Sequence, residues 1–387
     1  MENFEEKACL CALNRIFGFE PKVGLALISH LGSASKVFSL SEEDLTSLMG
    51  PYSKYKASIC ARTVEEASKE LTYLSGIGVS FCGITDPNYP SLLKECEDPP
   101  VGLYIKSNSP ISELWPEERI SVVGTRDISS YGREWCSRIV NSLAAAPERP
   151  AIVSGLALGV DIEAHRTALD NGLPTIAVLP TGPDSIYPYR HRIHAERIVS
   201  APHSALITDY PPGTAPLAIH FLRRNRIIAG LSKATILIES KIKGGGMMTC
   251  RLAFSYNRDV YALPGRIDDT RSQGCNELIR QKIAEPIVSA ASLVESLGLS
   301  YRKHREHTDS SIIVDRHYAE RIPKEDLILI RNIFSLIRKK RGITIEELAN
   351  SIGSGYSKTA ELTRLLEIDD FIITDLLQRC SINPKIM

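Results

Sequence analysis

The spacing of apolar residues changes along this chain of 387 residues, and the first change comes near residue 85. Up to that point, short segments pair apolar residues three and four positions apart, and Gly lies near several of their ends. This spacing is typical of short amphipathic helices that end at glycine. The pattern therefore predicts a small all-helical domain over residues 1–85.

Beyond residue 85 the pattern becomes that of strands alternating with helices. Two proline clusters come first, and then short apolar runs rich in β-branched residues alternate with longer amphipathic segments. The runs are residues 120–124, 151–154, 175–179, 205–208, 234–239 and 259–263. Continuous apolar runs separated by helices indicate a parallel sheet covered on both faces. The predicted fold class is therefore α/β, with an extended Rossmann-like parallel sheet over residues 86–300.

The last part of the chain has a third pattern. Residues 301–323 are polar and charged and predict a linker. Residues 324–387 hold three amphipathic segments followed by a short apolar run. This order predicts a winged-helix-like domain, and a plain helical tail has comparable support from the same pattern.

Composition and charge limit the classes of partner. Hydrophobic residues make up 43% and charged residues 24%, which is ordinary for a globular protein. The 46 basic and 46 acidic residues cancel, so an anion-binding face requires local segregation of charge. The nine cysteines lack zinc-ligand spacing, and no apolar run approaches the length of a membrane span. We therefore expect a cytoplasmic protein with reduced thiols, no metal and no membrane partner.

Four segments that follow predicted strands carry residues suited to binding anions. Ligands of a doubly wound sheet lie outside the carboxyl ends of its strands, so these segments are expected on one edge. The candidate residues are Gly124, Thr125 and Arg126; Ser154 and Gly155; Phe221, Arg223, Arg224, Asn225 and Arg226; and Lys241, Lys243, Gly244, Gly245 and Gly246.

Each of these segments offers a known means of holding phosphate. Glycine lets a ligand approach the backbone, a guanidinium group matches the geometry of phosphate, and free amides at a helix start bind anions. Phe221 is placed either to stack a base or to fill the core. Residues 219–282 contain twelve Lys and Arg against five acids, an excess of seven positive charges in a neutral chain. Such a rim suits several consecutive phosphates better than one compact nucleotide.

Taken singly, the same segments also fit structural roles. A tight turn explains Gly124, a solvated charged face explains the arginines, and a mobile loop explains the three glycines. Catalytic motifs are absent from the sequence, so no catalytic residue and no cofactor are predicted. Asp209 precedes a Pro-Pro-Gly turn and is expected to organise it, and His165 is expected to be structural.

Several long motifs resemble those of the DprA/Smf family of DNA processing proteins. The resemblance covers about 180 residues, from 120 to about 294. The motifs are VVGTR, IVSGLALGVDIEAH, TIAVLPTGPDSIYP, FLRRNRIIAGLS, ESKIKGGGMMTCRLA, VYALPG and SQGCNELI, in this order. The resemblance implies a homodimer that binds single-stranded DNA, protects it and loads the RecA recombinase during natural transformation. It also implies a small N-terminal domain of the SAM or helix-hairpin-helix type and a C-terminal winged helix.

Carried over by motif, the family's phosphate-binding arginine is Arg126, and its glycine-lined pocket is formed by Ser154 and Gly155. The basic helix start corresponds to residues 223–226 and the glycine loop to residues 244–246. This chain departs from the family pattern at Leu158, where many members have Lys, and at Gly245-Gly246-Met247, where GSL or GSM is usual. Because Leu158 stands where many members have Lys, the pocket has one positive charge fewer. Our hypothesis is that Lys241 or Lys243 supplies the missing charge.

Two other functions are compatible with parts of the sequence. A related nucleotide-processing enzyme, such as a nucleoside monophosphate glycosidase, has a similar layout of motifs. Cys250 and Arg251 stand where that enzyme would carry its catalytic Glu, so the general base is missing. A transcription regulator would use the winged helix to read DNA, but the second and third predicted helices hold too many acids for that. A protein-binding role is expected for the last domain.

Overall fold

Six neighbouring parallel strands form the centre of the computed structural model, which describes residues 2–299, 314, 317–319, 321–340, 342–375 and 378–383. These strands are β3 (Arg119–Val123), β4 (Ala151–Ser154), β5 (Thr175–Val178), β6 (Ala205–Thr208), β7 (Ala234–Leu237) and β8 (Asp259–Ala262). They coincide with the six apolar runs, and nearly all of their residues are buried. The predicted α/β fold with a parallel sheet is confirmed.

The order of the strands creates a switch point between β3 and β7. The sheet runs β6-β5-β4-β3-β7-β8, so the chain builds outward from β3 in one direction and then returns to add β7 on the other side. The loops that leave β3 and β7 therefore diverge, which opens a crevice at the carboxyl ends of these two strands. Open α/β sheets bind their ligands at such a crevice.

Three further strands extend the sheet, and the sequence patterns did not predict them. They are β1 (Val79–Gly83), β2 (Gly102–Lys106) and β9 (Glu285–Pro286). β1 pairs antiparallel with β2, and β2 pairs antiparallel with β6. The expectation of helices alone up to residue 85 is wrong for β1. This strand forms by pairing with β2, which no tight turn joins to it, and all of its residues except Ser80 are buried.

Five helices precede the sheet; the first and the fifth pack on β1, and the second and third pack on the first. They are α1 (Glu2–Phe17), α2 (Pro21–Leu31), α3 (Ala34–Phe38), α4 (Glu42–Met49) and α5 (Ala61–Gly76). An added Cβ at Gly83 of β1 would lie 2.6 Å from the Cδ1 atom of Leu10 on α1, so this helix lies directly on the strand. Helices and sheet share one apolar core within a compact unit, Met1–Tyr301. A domain boundary at residue 85 stays a prediction.

The remaining helices of this unit cover both faces of the parallel sheet. They are α6 (Ser91–Lys94), α7 (Ser130–Ala145), α8 (Val160–Asp170), α9 (Arg192–Ser200), α10 (Ala218–Leu231), α11 (Gly245–Ser255), α12 (Gln273–Arg280) and α13 (Ala290–Ser296). One core includes residues of α10 and α11, and another includes residues of α7, α8 and α13. None of the described helices has the length and apolar character needed to cross a bilayer.

A second compact unit comprises Arg302–Met387. Its helices are α14 (Lys324–Lys339), α15 (Ile345–Ile352) and α16 (Tyr356–Ile368), and its strands are β10 (Ile343–Thr344), β11 (Ile372–Thr374) and β12 (Arg379–Ile382). The strands form an antiparallel sheet in the order β10-β12-β11. The three helices given above and the small sheet fit the predicted winged-helix-like domain, which stays a prediction. Most of the predicted linker, 301–323, lies outside the described residues.

Candidate functional site

A cavity of about 740 Å³ lies at the switch point between β3 and β7, and we call it the rim cavity. Its walls come from the loops after β3, β4 and β7, from the cavity-facing side of α10, and from Tyr187 in the loop after β5. The predicted residues among its lining are Gly124, Thr125, Arg126, Phe221, Arg224, Asn225, Lys241, Lys243, Gly244, Gly245 and Gly246. Three of the four segments chosen from the sequence thus meet in one place.

The loops around the rim cavity are held together by close backbone contacts. The Thr125 amide donates a hydrogen bond to the Glu239 carbonyl at 2.7 Å, and the Val160 amide donates to the Thr125 carbonyl at 3.1 Å. An added Cβ at Gly124 would lie 2.5 Å from the Cγ2 atom of Val160, and one at Gly246 would lie 3.3 Å from the Gly124 Cα. These glycines are therefore required by the approach of three loops to one another.

Glu239 anchors this arrangement through its side chain. The carboxylate is fully buried and accepts hydrogen bonds from the Ser129 amide, at 2.9 Å, and from the Ser129 hydroxyl. The Ser129 hydroxyl in turn caps α7 by accepting from the Gly132 amide at 3.0 Å. Because Glu239 makes these hydrogen bonds, its negative charge lies at the start of α7 and interacts favourably with the positive end of the helix dipole. The sequence analysis did not identify this role.

Arg126, Phe221 and Tyr187 form a cluster at the mouth of the rim cavity. The Arg126 guanidinium lies 4.6 Å from the centre of the Phe221 ring, and this ring meets Tyr187 edge-on with 5.5 Å between centres. Arg126 is exposed and has no carboxylate within 4 Å in the described part of the chain. The sequence analysis missed Tyr187, although the motif TGPDSIYP contains it.

Arg224 takes a different position, in the floor of the cavity. Its side chain is buried and donates to the Val178 carbonyl at 2.8 Å. Burial lowers the pKa of its guanidinium to about 10, and the nearby Asp161 acts in the opposite direction. Burial also raises the pKa of the Asp161 carboxyl, whereas Arg224 lowers it. Asp161 thus compensates the charge of a buried cation at the cavity.

Ser154 and Gly155 lie beneath this arginine and do not line the rim cavity. The Ser154 hydroxyl is buried and donates to the Val122 carbonyl at 2.7 Å. An added Cβ at Gly155 would lie 1.6 Å from the Nη1 atom of Arg224, so the guanidinium occupies the space that a side chain would fill. In the structure, these two predicted residues support Arg224, and direct phosphate contacts by them stay a prediction.

Arg223 and Arg226 point away from the cavity. Arg223 donates to the Gly18 carbonyl, and its guanidinium lies 4.0 Å from the centre of the Phe19 ring. Arg226 is buried and pairs with the Asp209 carboxylate at 2.5 Å. Successive helical residues are rotated by about 100°, so one arginine of the three can face the cavity while its neighbours face the protein. Contacts of Arg223 and Arg226 with phosphate stay predictions.

The glycine loop leads directly into α11. Gly244 is the N-cap of this helix, and the Asn225 side-chain amide donates to the Gly245 carbonyl at 3.5 Å. The first amides of a helix lack i−4 carbonyl partners; the Met247 amide donates to the Gly244 carbonyl at 3.1 Å, which leaves the amides of Gly245 and Gly246 for a ligand at the cavity. Lys241 and Lys243 flank the loop, and both side chains are exposed without a carboxylate within 4 Å in the described ranges. Loop, helix start and lysines together form a positive, donor-rich wall.

The acids near this edge have structural partners. Asp127 lines the cavity and pairs with Arg271 at 2.6 Å. Asp184 accepts from the Gly213 amide at 3.0 Å, which orders the loop that follows Asp209. Cys250, in the position where a glycosidase would carry its acid, is fully buried, and burial raises the pKa of its thiol. None of these groups is arranged as a general base at the cavity.

His165 lies behind the site as the sequence analysis expected, in a structural position. It is fully buried, and its Nδ1 atom is 2.7 Å from the Thr175 hydroxyl. Burial lowers the pKa of its imidazole to about 3, and the positive charge of Arg224 acts in the same direction. The folded protein therefore keeps this ring neutral, while the unfolded chain takes up a proton below about pH 6.5.

We expect the variant His165→Gln to lose less stability on acidification than the unchanged protein. A depressed folded pKa contributes stability above about pH 6.5, and this contribution falls as the pH drops towards 3. Between pH 7 and pH 5, the free energy of unfolding should fall by about 2 kcal/mol more in the unchanged protein than in the variant. Urea denaturation at the two pH values measures both differences. Equal losses in both proteins would contradict the assignment.

Comparisons with known proteins are consistent across sequence and structure. The family model described as DNA recombination-mediator protein A matches residues 80–298. DNA processing protein DprA of Streptococcus pneumoniae is 40% identical over 198 residues, which cover 51% of this chain and 67% of that protein. Protein Smf of Synechocystis is 40% identical over 214 residues, covering 55% of this chain and 52% of the relative. The alignments thus span between about half and two thirds of these relatives.

Two solved structures share the fold of this chain. The X-ray structure of DNA processing protein A from Streptococcus pneumoniae superposes with a TM-score of 0.56 at 33% identity, covering 66% of this chain and 86% of that one. DNA processing protein A from Helicobacter pylori, solved to study its single-stranded DNA binding mode, superposes with a TM-score of 0.51 at 29% identity. The matched residues make up 58% of this chain and 97% of the Helicobacter pylori chain.

Proposed function

The chain belongs to the family of DNA recombination-mediator protein A, and on this premise we propose that it is a single-stranded DNA-binding recombination mediator. Single-stranded DNA binds in the rim cavity, with consecutive phosphates along the wall formed by Arg126, the glycine loop and the two lysines. The protein has no catalytic role in this proposal. Binding alone protects the strand and presents it for recombination.

The observation that carries this proposal is a set of three cations at the cavity wall that have no ion-pair partner in the described residues, while the acids Asp127 and Asp161 of the lining lie beside other arginines. Arg126, Lys241 and Lys243 have no carboxylate within 4 Å in the described residues, whereas Arg226 has Asp209. Cations gathered at one wall repel one another, and phosphate oxygens relieve this repulsion while releasing counterions from the strand. Three such cations beside the unpaired amides of a helix start make a site for more than one phosphate.

The aromatic residues at the cavity mouth support binding of single strands in particular. Phe221 and Tyr187 lie beside Arg126, and about two fifths of Tyr187 is exposed. Base stacking on an aromatic ring contributes about 1–3 kcal/mol per base and does not depend on sequence. The faces of paired bases in a duplex are already covered, so only a single strand offers them to Phe221.

Family membership supports the wider role. We include in the proposal that the protein acts as a homodimer and delivers the bound strand to the RecA recombinase, in natural transformation or DNA processing. The second unit is proposed to contact protein, since its α16 carries acids at Glu361 and Glu367 and is followed by Asp369 and Asp370. Acidic residues on the groove-reading helix of a winged helix disfavour binding to DNA phosphates.

We expect the protein to bind an oligothymidine of about 20 nucleotides at least about tenfold more tightly than a duplex of equal length. Fluorescence anisotropy at one fixed salt concentration measures both affinities. Equal affinity for the two would contradict a site that stacks unpaired bases. Incubation with nucleoside monophosphates should release no free base, and any release would instead favour the glycosidase-like enzyme.

Gly245 offers a test that separates binding from folding. An added Cβ at Gly244 would lie 2.2 Å from the Ser240 hydroxyl oxygen, and one at Gly246 would lie 2.7 Å from the Cδ1 atom of Leu237. An added Cβ at Gly245 would meet no atom within 4 Å. The packing of the protein therefore explains the first and third glycines but leaves the second without a structural reason, as expected where a ligand approaches the backbone.

The variant Gly245→Ala is expected to fold normally and to bind single-stranded DNA about tenfold more weakly, because its methyl group would lie where the strand meets the helix start. Its free energy of unfolding should stay unchanged or rise by up to about 1 kcal/mol, since alanine favours helix. Anisotropy and urea denaturation give the two values. Normal binding by the variant would move the strand away from the loop.

A further inference from the structure

A second groove adjoins the rim cavity on the far side of the glycine loop. It has a volume of about 390 Å³ and is lined by Ile242, Lys243, Gly244, Met247, Met248, Arg251 and Leu252. Lys243 and Gly244 line both spaces, so the two are separated only by the loop itself. An elongated ligand that leaves the rim cavity over Gly244 would enter the second groove directly.

The charged groups of the second groove are cations. Lys243 and Arg251 belong to its lining, which contains no acid. Arg251 donates to the side-chain oxygen of Gln281 at 2.9 Å, a neutral partner. The nearby Glu277 carboxylate pairs with Arg280 at 2.7 Å. In the described ranges Arg251 thus has no carboxylate within 4 Å, and its charge is available to a phosphate.

The floor of the groove is apolar and accessible. Ile242 is 53% exposed and Met248 is 39% exposed. Leu252 and Met247 extend this floor towards the core. Flat bases can lie on such aliphatic and thioether side chains, because every base has an apolar face to bury. Cations beside an apolar floor match a nucleotide, which offers a phosphate and a base at once.

The groove is long enough for more than one nucleotide. From Gly245 to Arg251 there are six helical steps, or about 9 Å along α11. A stacked strand advances about 3.4 Å per nucleotide, so this length holds about two or three. The phosphates of those nucleotides would come within reach of Lys243 and then of Arg251.

We propose that the second groove is a continuation of the DNA site, in which two or three further nucleotides of the same single strand rest on Ile242 and Met248 with a phosphate on Arg251. This inference rests on the proposed function, because the strand must first occupy the rim cavity. The occupant is a strand of DNA because the groove is continuous with that cavity through Gly244 and shares its positive charge.

The test compares long and short strands in matched variants of the full chain. Met248→Glu introduces a negative charge into the groove, and Phe254→Glu introduces the same charge at an exposed position on α11 that lines neither space. Affinities are measured by anisotropy with oligothymidines of about 4 and about 10 nucleotides. We expect Met248→Glu to weaken binding of the longer strand at least about tenfold and of the shorter one about twofold or less. Phe254→Glu should change neither value.

A second variant measures the phosphate contact. Arg251→Ala should reduce the slope of log affinity against log salt by about 0.7 for the longer strand, the value for one phosphate of a single strand, and leave the slope of the shorter strand unchanged. If Met248→Glu binds both strands normally while Arg126→Ala still weakens both, the inference is overturned and the proposed function stands. If Arg126→Ala also binds normally, the proposed function fails with it.

Discussion

Replacing Arg126 by alanine should weaken binding of single-stranded DNA by about 10- to 100-fold, which corresponds to the loss of one charged contact of about 1.5–3 kcal/mol. The guanidinium lies over Phe221 at 4.6 Å and has no carboxylate within 4 Å in the described residues. The side chain is exposed, so its removal should leave the fold intact. Anisotropy over a range of salt concentrations should also show the salt slope reduced by about 0.7.

Arg223→Ala is the matched control for this variant. Arg223 belongs to the same basic set in the sequence, but in the structure it contacts Gly18 and Phe19 on the other side of α10. Its loss should change affinity by no more than about twofold. If Arg223→Ala weakened binding as much as Arg126→Ala does, the rim cavity would not be the site. Arg224→Ala is less informative, because Arg224 is buried and its loss would disturb the fold as well.

The largest effect on stability is expected from Asp209→Ala. Asp209 and Arg226 are both buried, and their side chains meet at 2.5 Å. Removing the carboxylate leaves a buried guanidinium without its charged partner, which should reduce the free energy of unfolding by about 3–5 kcal/mol. The Asp209 backbone carbonyl accepts a hydrogen bond from the Asn14 side chain of α1 at 2.8 Å, and the variant keeps this group, so the expected loss comes from the ion pair. Urea denaturation of the first unit measures the change.

Two further variants check this explanation. Asp184→Ala removes an exposed acid that contacts the Gly213 amide, and it should cost about 1 kcal/mol or less. The double variant Asp209→Ala, Arg226→Met removes the unpaired charge and should recover part of the lost stability. A loss in Asp209→Ala as small as in Asp184→Ala would show that the pair does not hold α10 in place.

The order of residues along the chain was sufficient to predict the parallel sheet. Each of β3 to β8 is a run of four or five mostly apolar residues, because strands covered by helices on both faces must be apolar on both sides. β1 and β2 escaped prediction because no tight turn marks them as a hairpin in the sequence. Their pairing with each other, and of β2 with β6, is visible only in the folded chain. β9 has only two residues, too few for any pattern to be recognised.

For the candidate site, residue types were predictable and their orientations were not. Arg126, the glycine loop and Phe221 follow strand ends in the sequence, and a parallel sheet brings strand ends to one edge. Arg223, Arg224 and Arg226 point in different directions and have different partners. These directions follow from the rotation of α10 about its axis, which is set by packing against the sheet. Glu239 and Asp161 appeared only as acids in the sequence, because their partners, Ser129 and Arg224, come from other segments.

The sequence by itself determined that strands and helices alternate, that glycines and cations follow the strands, and that the positive charge is concentrated between residues 219 and 282. These properties are local, since hydrophobic periodicity and residue type need no distant contact. The tertiary structure decided the order of the strands, and therefore placed the cavity between β3 and β7. It also decided which cations pair with buried acids and which have no ion-pair partner among the described residues. Both outcomes depend on contacts between residues distant in the chain, which only the packed molecule brings together.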